Sequence, residues 1–528
     1  MMNNLRRKLL VLSLLVMFLA GCSGQSHRAV KSVKLPDPSQ ADQNGRLVLS
    51  LAGEVSILNP ILSTDTTSSA VEGTIFTGLI TFNENLEPVP DLATSWSVSK
   101  DGKVWTFKLR RDVKWHDGVP FTADDVVFTF NSILDPKVNS VRRGDYIIDG
   151  RPIVFKAVDK YTVKAVLPKP FAPFLTRSGM SIIPKHILKG KDINTAAFNR
   201  KPIGTGPFKF KEWVTGDYLT VVRNPGYYLG KPRLAEIIYK IIPDENATLV
   251  ALEAGEIDSA GIPPKDYKRM KSMAGVNVFE YDNLVYTYLG FNLGNPKFKD
   301  KRVRQALAYA TDKKQLVSLL FKGLASPAYA PSAPISWAYT NEVAKYHYDP
   351  AKAKALLKEA GAQDLEFTIL TNQGNKEREK AAVILQQQFK KVGVKVNVRV
   401  MEWSALLKIV NAPTGPKDFD AVLMGWSLGL DPDAYSIWHS SQYPKGFNFI
   451  DYHNPEVDRL LEKGRLTMDK EKRKQVYAKL WQIIASDQPY LFLWYPKSVV
   501  GVSERVGGLS KPSPAGLMLH LEKVFVTK

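Results

Sequence analysis

Seven histidines stand at positions 27, 116, 186, 347, 439, 453 and 520, and no two of them are four apart. No helix can therefore present the paired imidazoles of a zinc enzyme. His439 and His453 flank one loop region and are the pair to inspect for a metal contact; a structural role accounts for them as well. Carboxylates cluster twice, as Asp124-Asp125 and as Asp431 with Asp433. The first pair suits a helix N-terminus, where negative charge is favourable. The second shares a stretch with Gly425, Trp426, Ser427 and Gly429. Glycoside hydrolysis needs two carboxylates facing each other across a cleft, which spacing along a chain does not supply. Ser97 and Lys100 make a Ser-x-x-Lys match, but Asp101-Gly102 marks a turn and no companion motif follows. The sequence contains no HExxH, GxSxG, P-loop or EF-hand pattern. No catalytic residue and no metal site is assigned.

These residues depend on the elements that carry them. Residues 419–424 (FDAVLM) read as an apolar strand running into the loop 425–433. Ligands of open α/β sheets sit outside the carboxyl ends of strands. A large aromatic, a hydroxyl, two carboxylates and glycines at such a place are the makings of a binding cleft. Just upstream lies a β-α-β pattern. Residues 365–370 form a strand, 377–392 a helix with Ala381, Leu385, Phe389 and Val392 on one face, and Gly393 stops it. Val394, Val396, Val398 and Val400 then alternate as a second strand. A helix over 350–360 precedes the unit. Nearer the start, Trp105, Phe107 and Leu109 alternate with polar residues, and Thr122 with Asp125 opens a helix through Val126, Val127 and Phe130 in a capping-box pattern.

At 528 residues the chain needs two or three cores. Arg6, Arg7 and Lys8 precede an apolar run over 9–20, the order of a secretory signal. Leu19-Ala20-Gly21-Cys22 resembles a bacterial lipobox. Residues 1–21 are thus expected to be removed, leaving Cys22 as a lipid-bearing N-terminus on a membrane. It is the single cysteine, so no internal disulfide forms. Residues 22–44 are polar, with two prolines, and read as a flexible linker reaching roughly 25 Å. The net charge of +20 favours anionic surfaces. Lysines and arginines are dispersed and no nucleic-acid motif appears, so nucleic acid is not an expected partner.

Residues 73–130, KPIGTGPFKF (201–210), GFNL with VRQALAYATDKKQLV (290–317) and YHNPEVDRLL (452–461) resemble the family 5 extracellular solute-binding proteins of ABC transporters. These are the oligopeptide-, dipeptide- and nickel-binding proteins, and the similarity runs from about residue 45 to the C-terminus. The resemblance implies an α/β, two-lobed periplasmic-binding-protein-like (type II) fold with an extra inserted subdomain. Lobe one would comprise 45–285 (core 45–72 and 203–285, insert 73–202), lobe two 286–496, and 497–528 would return to lobe one. It implies a monomer with no catalysis and no cofactor, which closes over a peptide and presents it to a permease and ATPase complex in the membrane. Main-chain pairing inside the closed cleft would hold the peptide. Trp426 and Ser427 match the family's loop positions, and Thr64, Asp65 and Thr66 line the facing side. Several peptide binders carry an aspartate three residues after that tryptophan, where it pairs with the peptide ammonium; here the position is Gly429. Asp431, Asp433 or Asp65 is expected to take its place, since a buried ammonium without a partner is costly. The alternative is a non-peptide solute, an oligosaccharide stacked on Trp403, Trp426 and Trp438 or a nickel chelate near His439 and His453.

Overall fold

The computed structural model describes residue 33 and residues 35–528, apart from 141, 413 and 445. The chain divides into two units, 1–34 and 35–528. Cys22 and the signal segment lie outside the described residues.

The second unit is built on a 12-stranded mixed sheet. Arg46–Leu51 lies parallel to Glu236–Ile241, which is followed outward by the antiparallel strands Tyr218–Arg223 and Phe208–Val214. Leu47, Ile237, Leu219 and Phe208 are fully buried, so the side-chain alternation aims one face at a single core. Val502, Val506, Val524 and Val526 join that core. The second lobe holds Val285–Phe291, Ala421–Ser427, Glu366–Asn372 and Lys395–Met401 in that order across the sheet.

One long strand, Tyr490–Ser503, belongs to both lobes. Its first part pairs with residues 287–290 and its last part with Val276–Asp282. The chain also passes between lobes through Asn283 and Leu284, which join Val276–Asp282 to Val285–Phe291. Two adjacent crossings are the arrangement that permits hinge motion.

A four-stranded antiparallel sheet, Ala93–Val98, Val104–Leu109, Thr162–Val166 and Val154–Asp159, forms the inserted subdomain. Trp105, Phe107 and Leu109 are buried, as their alternation predicts. The helix Ala123–Leu134 packs on this sheet, and Phe130 stacks on Phe155 with ring centroids 4.0 Å apart. Thr122 N–H donates to Asp125 Oδ2 at 2.9 Å, the contact that the capping-box spacing predicts.

The β-α-β unit is present as parallel strands around the helix Lys376–Lys390. Ala381, Leu385 and Phe389 are fully buried. Gly393 ends the turn at φ +88°, a conformation that strains other residues. Val396 is buried, whereas Val400, on the same face of the edge strand Lys395–Met401 but near its end, is 46% exposed.

Two sequence expectations need correction. The strand expected over 419–424 runs from Ala421 to Ser427, because Gly425, Trp426 and Ser427 continue the ladder with Thr287, Tyr286 and Val285. The flexible linker expected over 22–44 does not extend to 44. Pro38–Gln40 forms a helical turn, Asp42 N–H donates to Val526 C=O at 2.8 Å, and Arg223 Nη2 donates to Gln43 C=O at 2.9 Å. Backbone pairing with the C-terminal strand ties this stretch to the globule.

Candidate ligand-binding site

The strand Ala421–Ser427 ends at a cavity of about 210 Å³. Trp426, Ser427, Gly429, Asp431 and Asp433 line one side, Ser332 and Ser336 extend it, and Thr176 and Arg177 close it from the inserted subdomain. Each lobe thus supplies a wall. Beside the cavity, Ala172 N–H of the insert donates to Arg465 C=O of the second lobe at 2.8 Å.

Trp426 is half-buried. It stacks on Phe449 (centroids 5.4 Å, planes 23° apart), and Phe447 leans on it at 5.5 Å. Its indole N–H points to Tyr490 Oη at 3.5 Å. The ring is therefore held as a rigid wall. Of the three tryptophans that a stacked sugar would require, Trp438 is buried in the core and Trp403 is exposed; neither lines this cavity.

Neither loop aspartate is free. Arg473 grips Asp431 with two bonds of 2.6 Å, Nη1 to Oδ2 and Nη2 to Oδ1. Burial alone would lower the Arg473 pKa; the Asp431 carboxylate more than reverses this and holds it above its ordinary value. Arg465 grips Asp433 side-on, with Nε 3.0 Å from both oxygens and Nη2 2.9 Å from Oδ2. The Asp433 side chain is 1% exposed. Burial should raise its pKa, but Arg465 and then Arg177 outweigh that and hold it below the usual carboxylate range. Arg177 itself pairs with Asp145 at 3.1 Å. Asp431 Oδ1 also accepts from Asp433 N–H at 2.9 Å, so the carboxylates shape their own loop. Asp431 and Asp433, each expected as a partner for a ligand ammonium, are thus both engaged within the protein. Each is spent on an arginine.

Asp65 is likewise engaged. It caps the helix Thr66–Ile75, accepting from Ser68 N–H at 2.7 Å and from the hydroxyls of Ser56, Thr67 and Ser68. Partial burial pushes its pKa up, and those donors together pull it below the ordinary value. Thr64 and Thr66 are exposed beside it, and none of the three lines the Trp426 cavity. Gly429 leaves room for a side chain: a Cβ there would meet nothing nearer than the Asp431 carbonyl oxygen at 3.7 Å.

His439 stacks on Tyr435 (4.1 Å) and bonds Ser441 Oγ through Nδ1 at 2.8 Å, while His453 bonds Asp451 at 2.7 Å. No three His, Cys, Asp or Glu side chains among the described residues gather as a metal would require. The residues that sequence reasoning missed are Arg177, Arg465 and Arg473. Arg465 is 32 residues from Asp433 and Arg473 is 42 from Asp431, on helices where a basic residue reads as solvated surface. No local signal could have found them.

Two lobes joined by paired crossings, with a cavity walled from both sides, define a class of protein that encloses its ligand. The chain belongs to the family described as "Bacterial extracellular solute-binding proteins, family 5 Middle", whose profile matches residues 87–448. It is 38% identical over 542 residues to the Oligopeptide-binding protein AppA of Bacillus subtilis (strain 168), covering 98% of each chain. The solved structure of that Bacillus subtilis AppA, in complex with a nonapeptide, matches with a TM-score of 0.82 and 37% identity, covering 92% of this chain and 100% of the other. NikZ from Campylobacter jejuni, in complex with Ni(L-His), matches with a TM-score of 0.82 and 33% identity, covering 92% and 100%.

Proposed function

We propose that this protein captures peptides between its lobes outside the cytoplasm and hands them to the permease and ATPase of an ABC importer. The single observation that carries this reading is the cavity with Thr176 and Arg177 on one wall and the 426–433 segment on the other. A ligand there touches both lobes and so favours the closed state by its differential affinity. The similarity to AppA, and the nonapeptide bound in the solved structure of that protein, support peptide as the ligand class. On this reading lobe one comprises 45–285 with the insert 73–202, lobe two comprises 286–496, and 497–528 returns to the first. Trp426 supplies the apolar wall and Ser427 an exposed hydroxyl. Asp431 and Asp433, through Arg473 and Arg465, hold the loop in place, and Thr64, Asp65 and Thr66 line the facing approach.

The protein acts as a monomer, turns nothing over and needs no cofactor. An acyl lipid on Cys22 keeps it at the membrane face. Native mass spectrometry of freshly purified mature protein tests the ligand class. Release of short peptides supports the reading; release of a sugar or a metal chelate overturns it. Cys22→Ala tests the anchor and should move the protein from the membrane fraction to the soluble one.

A further inference from the structure

The inserted subdomain covers its four-stranded sheet on one side only. Trp105, Phe107, Phe155, Val163 and Ala165 are buried on the side that meets the helix Ala123–Leu134. The opposite side is open, and the strand registers fix what it presents. Val104, Val166 and Val154 stand directly beside one another on three neighbouring strands. Two residues along each strand, Thr106, Lys164 and Lys156 form the next row. Lys108 lies on the same face, opposite Thr162. Val154 is 45% and Val166 36% exposed, and the three lysines are exposed as well.

The solvated face of an antiparallel sheet ordinarily carries mixed polar residues. This one does not. Lys156 and Lys164 are directly opposite each other across the ladder, and like charges so placed weaken a sheet. Neither has an ion-pair partner among the described residues. The strands of this sheet carry a single carboxylate, Asp159, at the far end of the face beside Thr162, and it accepts from Tyr161 N–H at 2.8 Å. A lysine on an edge strand guards against edge pairing, which accounts for Lys156. Lys164 lies on the interior strand Thr162–Val166, where no edge needs guarding. The fold thus carries an avoidable repulsion beside a row of exposed valines.

We propose that this face of the insert is a docking surface for an anionic lipid leaflet. A lysine near such a surface is drawn to it, and the attraction fades within a Debye length. The lysine row supplies that attraction at contact. The valine row supplies apolar area that enters the headgroup boundary. A polyanion dissolved in water would satisfy the lysines but offers nothing to the valines, so a lipid surface fits the face better. The net charge of +20 acts in the same direction at longer range. A lipid on Cys22 would bring the leaflet within reach, but the contact belongs to the folded insert and is made without it. It is also independent of what the cleft binds.

The test uses the full mature chain produced without its acyl lipid. It is sedimented with vesicles of equal parts phosphatidylglycerol and phosphatidylcholine, and with vesicles of phosphatidylcholine alone. Binding to the anionic vesicles and not to the neutral ones is expected. Lys164→Glu turns the repelling pair with Lys156 into an attracting one. It should weaken vesicle binding by about tenfold or more while raising the thermal midpoint, whereas loss of a structural residue lowers the midpoint. Val154→Thr with Val166→Thr keeps the side-chain shape and should weaken binding by about threefold or more. Lys354→Glu with Lys358→Glu makes a larger change in net charge on the exposed side of the helix Pro350–Glu359, and should alter binding by less than about threefold. Failure to bind the anionic vesicles overturns the proposal. A loss from the Lys354 and Lys358 pair as large as that from Lys164→Glu overturns it too, since net charge alone then drives binding. Vesicle binding that the valine pair leaves unchanged overturns the lipid assignment, and tight binding of soluble polyglycerol phosphate would then identify an anionic polymer as the occupant.

Discussion

At the Trp426 cavity two aspartates each hold an arginine; at a separate cavity lined by Arg378 an arginine holds no carboxylate. Both cavities are lined by both lobes, and both place guanidinium groups in a low-dielectric setting. The difference is in what remains to be satisfied. Asp431 and Asp433 are consumed in building a loop, and the loop then presents an aromatic face and backbone. Arg378 is left with a buried Nε that has no hydrogen-bond partner. A closed charge pair gives a site its shape, and an open one leaves a cost standing. The energetic reason is that a buried ion without its partner costs several kcal/mol, more than a well-made pair returns.

The largest expected effect comes from opening the closed pair. Asp431→Asn leaves Arg473 charged and buried without its carboxylate, and should cost about 3–5 kcal/mol in denaturant unfolding. A loss under about 1 kcal/mol would mean that the pair is not buried in the working protein.

The same contrast exists within the first lobe, between Asp65 with its four donors and Glu72. Glu72 is 4% exposed, accepts from Ser63 Oγ at 2.8 Å and has an orphan second oxygen. Burial pushes its pKa from 4.5 up to about 7. The folded state thus binds its proton more tightly than the unfolded state. Its contribution is full below pH 4.5 and is lost as pH rises to about 7. Glu72→Gln should remove that decline and be more stable than the unaltered protein at pH 8, by up to about 3 kcal/mol. Parallel unfolding curves across pH for the two proteins would refute this.

Trp426→Ala removes the rigid wall without touching either charge pair. Peptide affinity should fall by about 2 kcal/mol, roughly thirtyfold, with the fold kept. Calorimetry against the released peptides measures it. The smallest effect expected is from Gly429→Asp, which adds an unpaired carboxylate where space exists. It should raise the preference for free over N-acetylated peptides by about fivefold, about 1 kcal/mol. An unchanged ratio would show that no ammonium reaches this end.

Much of the architecture was legible in the chain because it is local. The alternation of Trp105, Phe107 and Leu109, the Thr122–Asp125 cap, and the Ala381, Leu385 and Phe389 face each depend on neighbours within a few residues. The extension of the strand to Ser427 was not legible, because glycine and serine have weak strand propensity and the partner Val285–Phe291 is more than a hundred residues away. Trp426 and the segment around it were identifiable by their residue types. The state of their carboxylates was not.

The sequence by itself determined the family, several strands and helices, and the segment that walls the cavity. Only the tertiary structure decided which charges are spent. Arg378 sits between Glu377 and Glu379, so in sequence it looks paired. Adjacent helical residues do not face each other. Glu379 turns to Lys376 and to the Gly374 N–H, leaving Arg378 without a carboxylate partner. Asp431 and Asp433 look free in sequence and are held by arginines dozens of residues away. Charge pairing depends on distance in space, which only the packing of distant helices brings about.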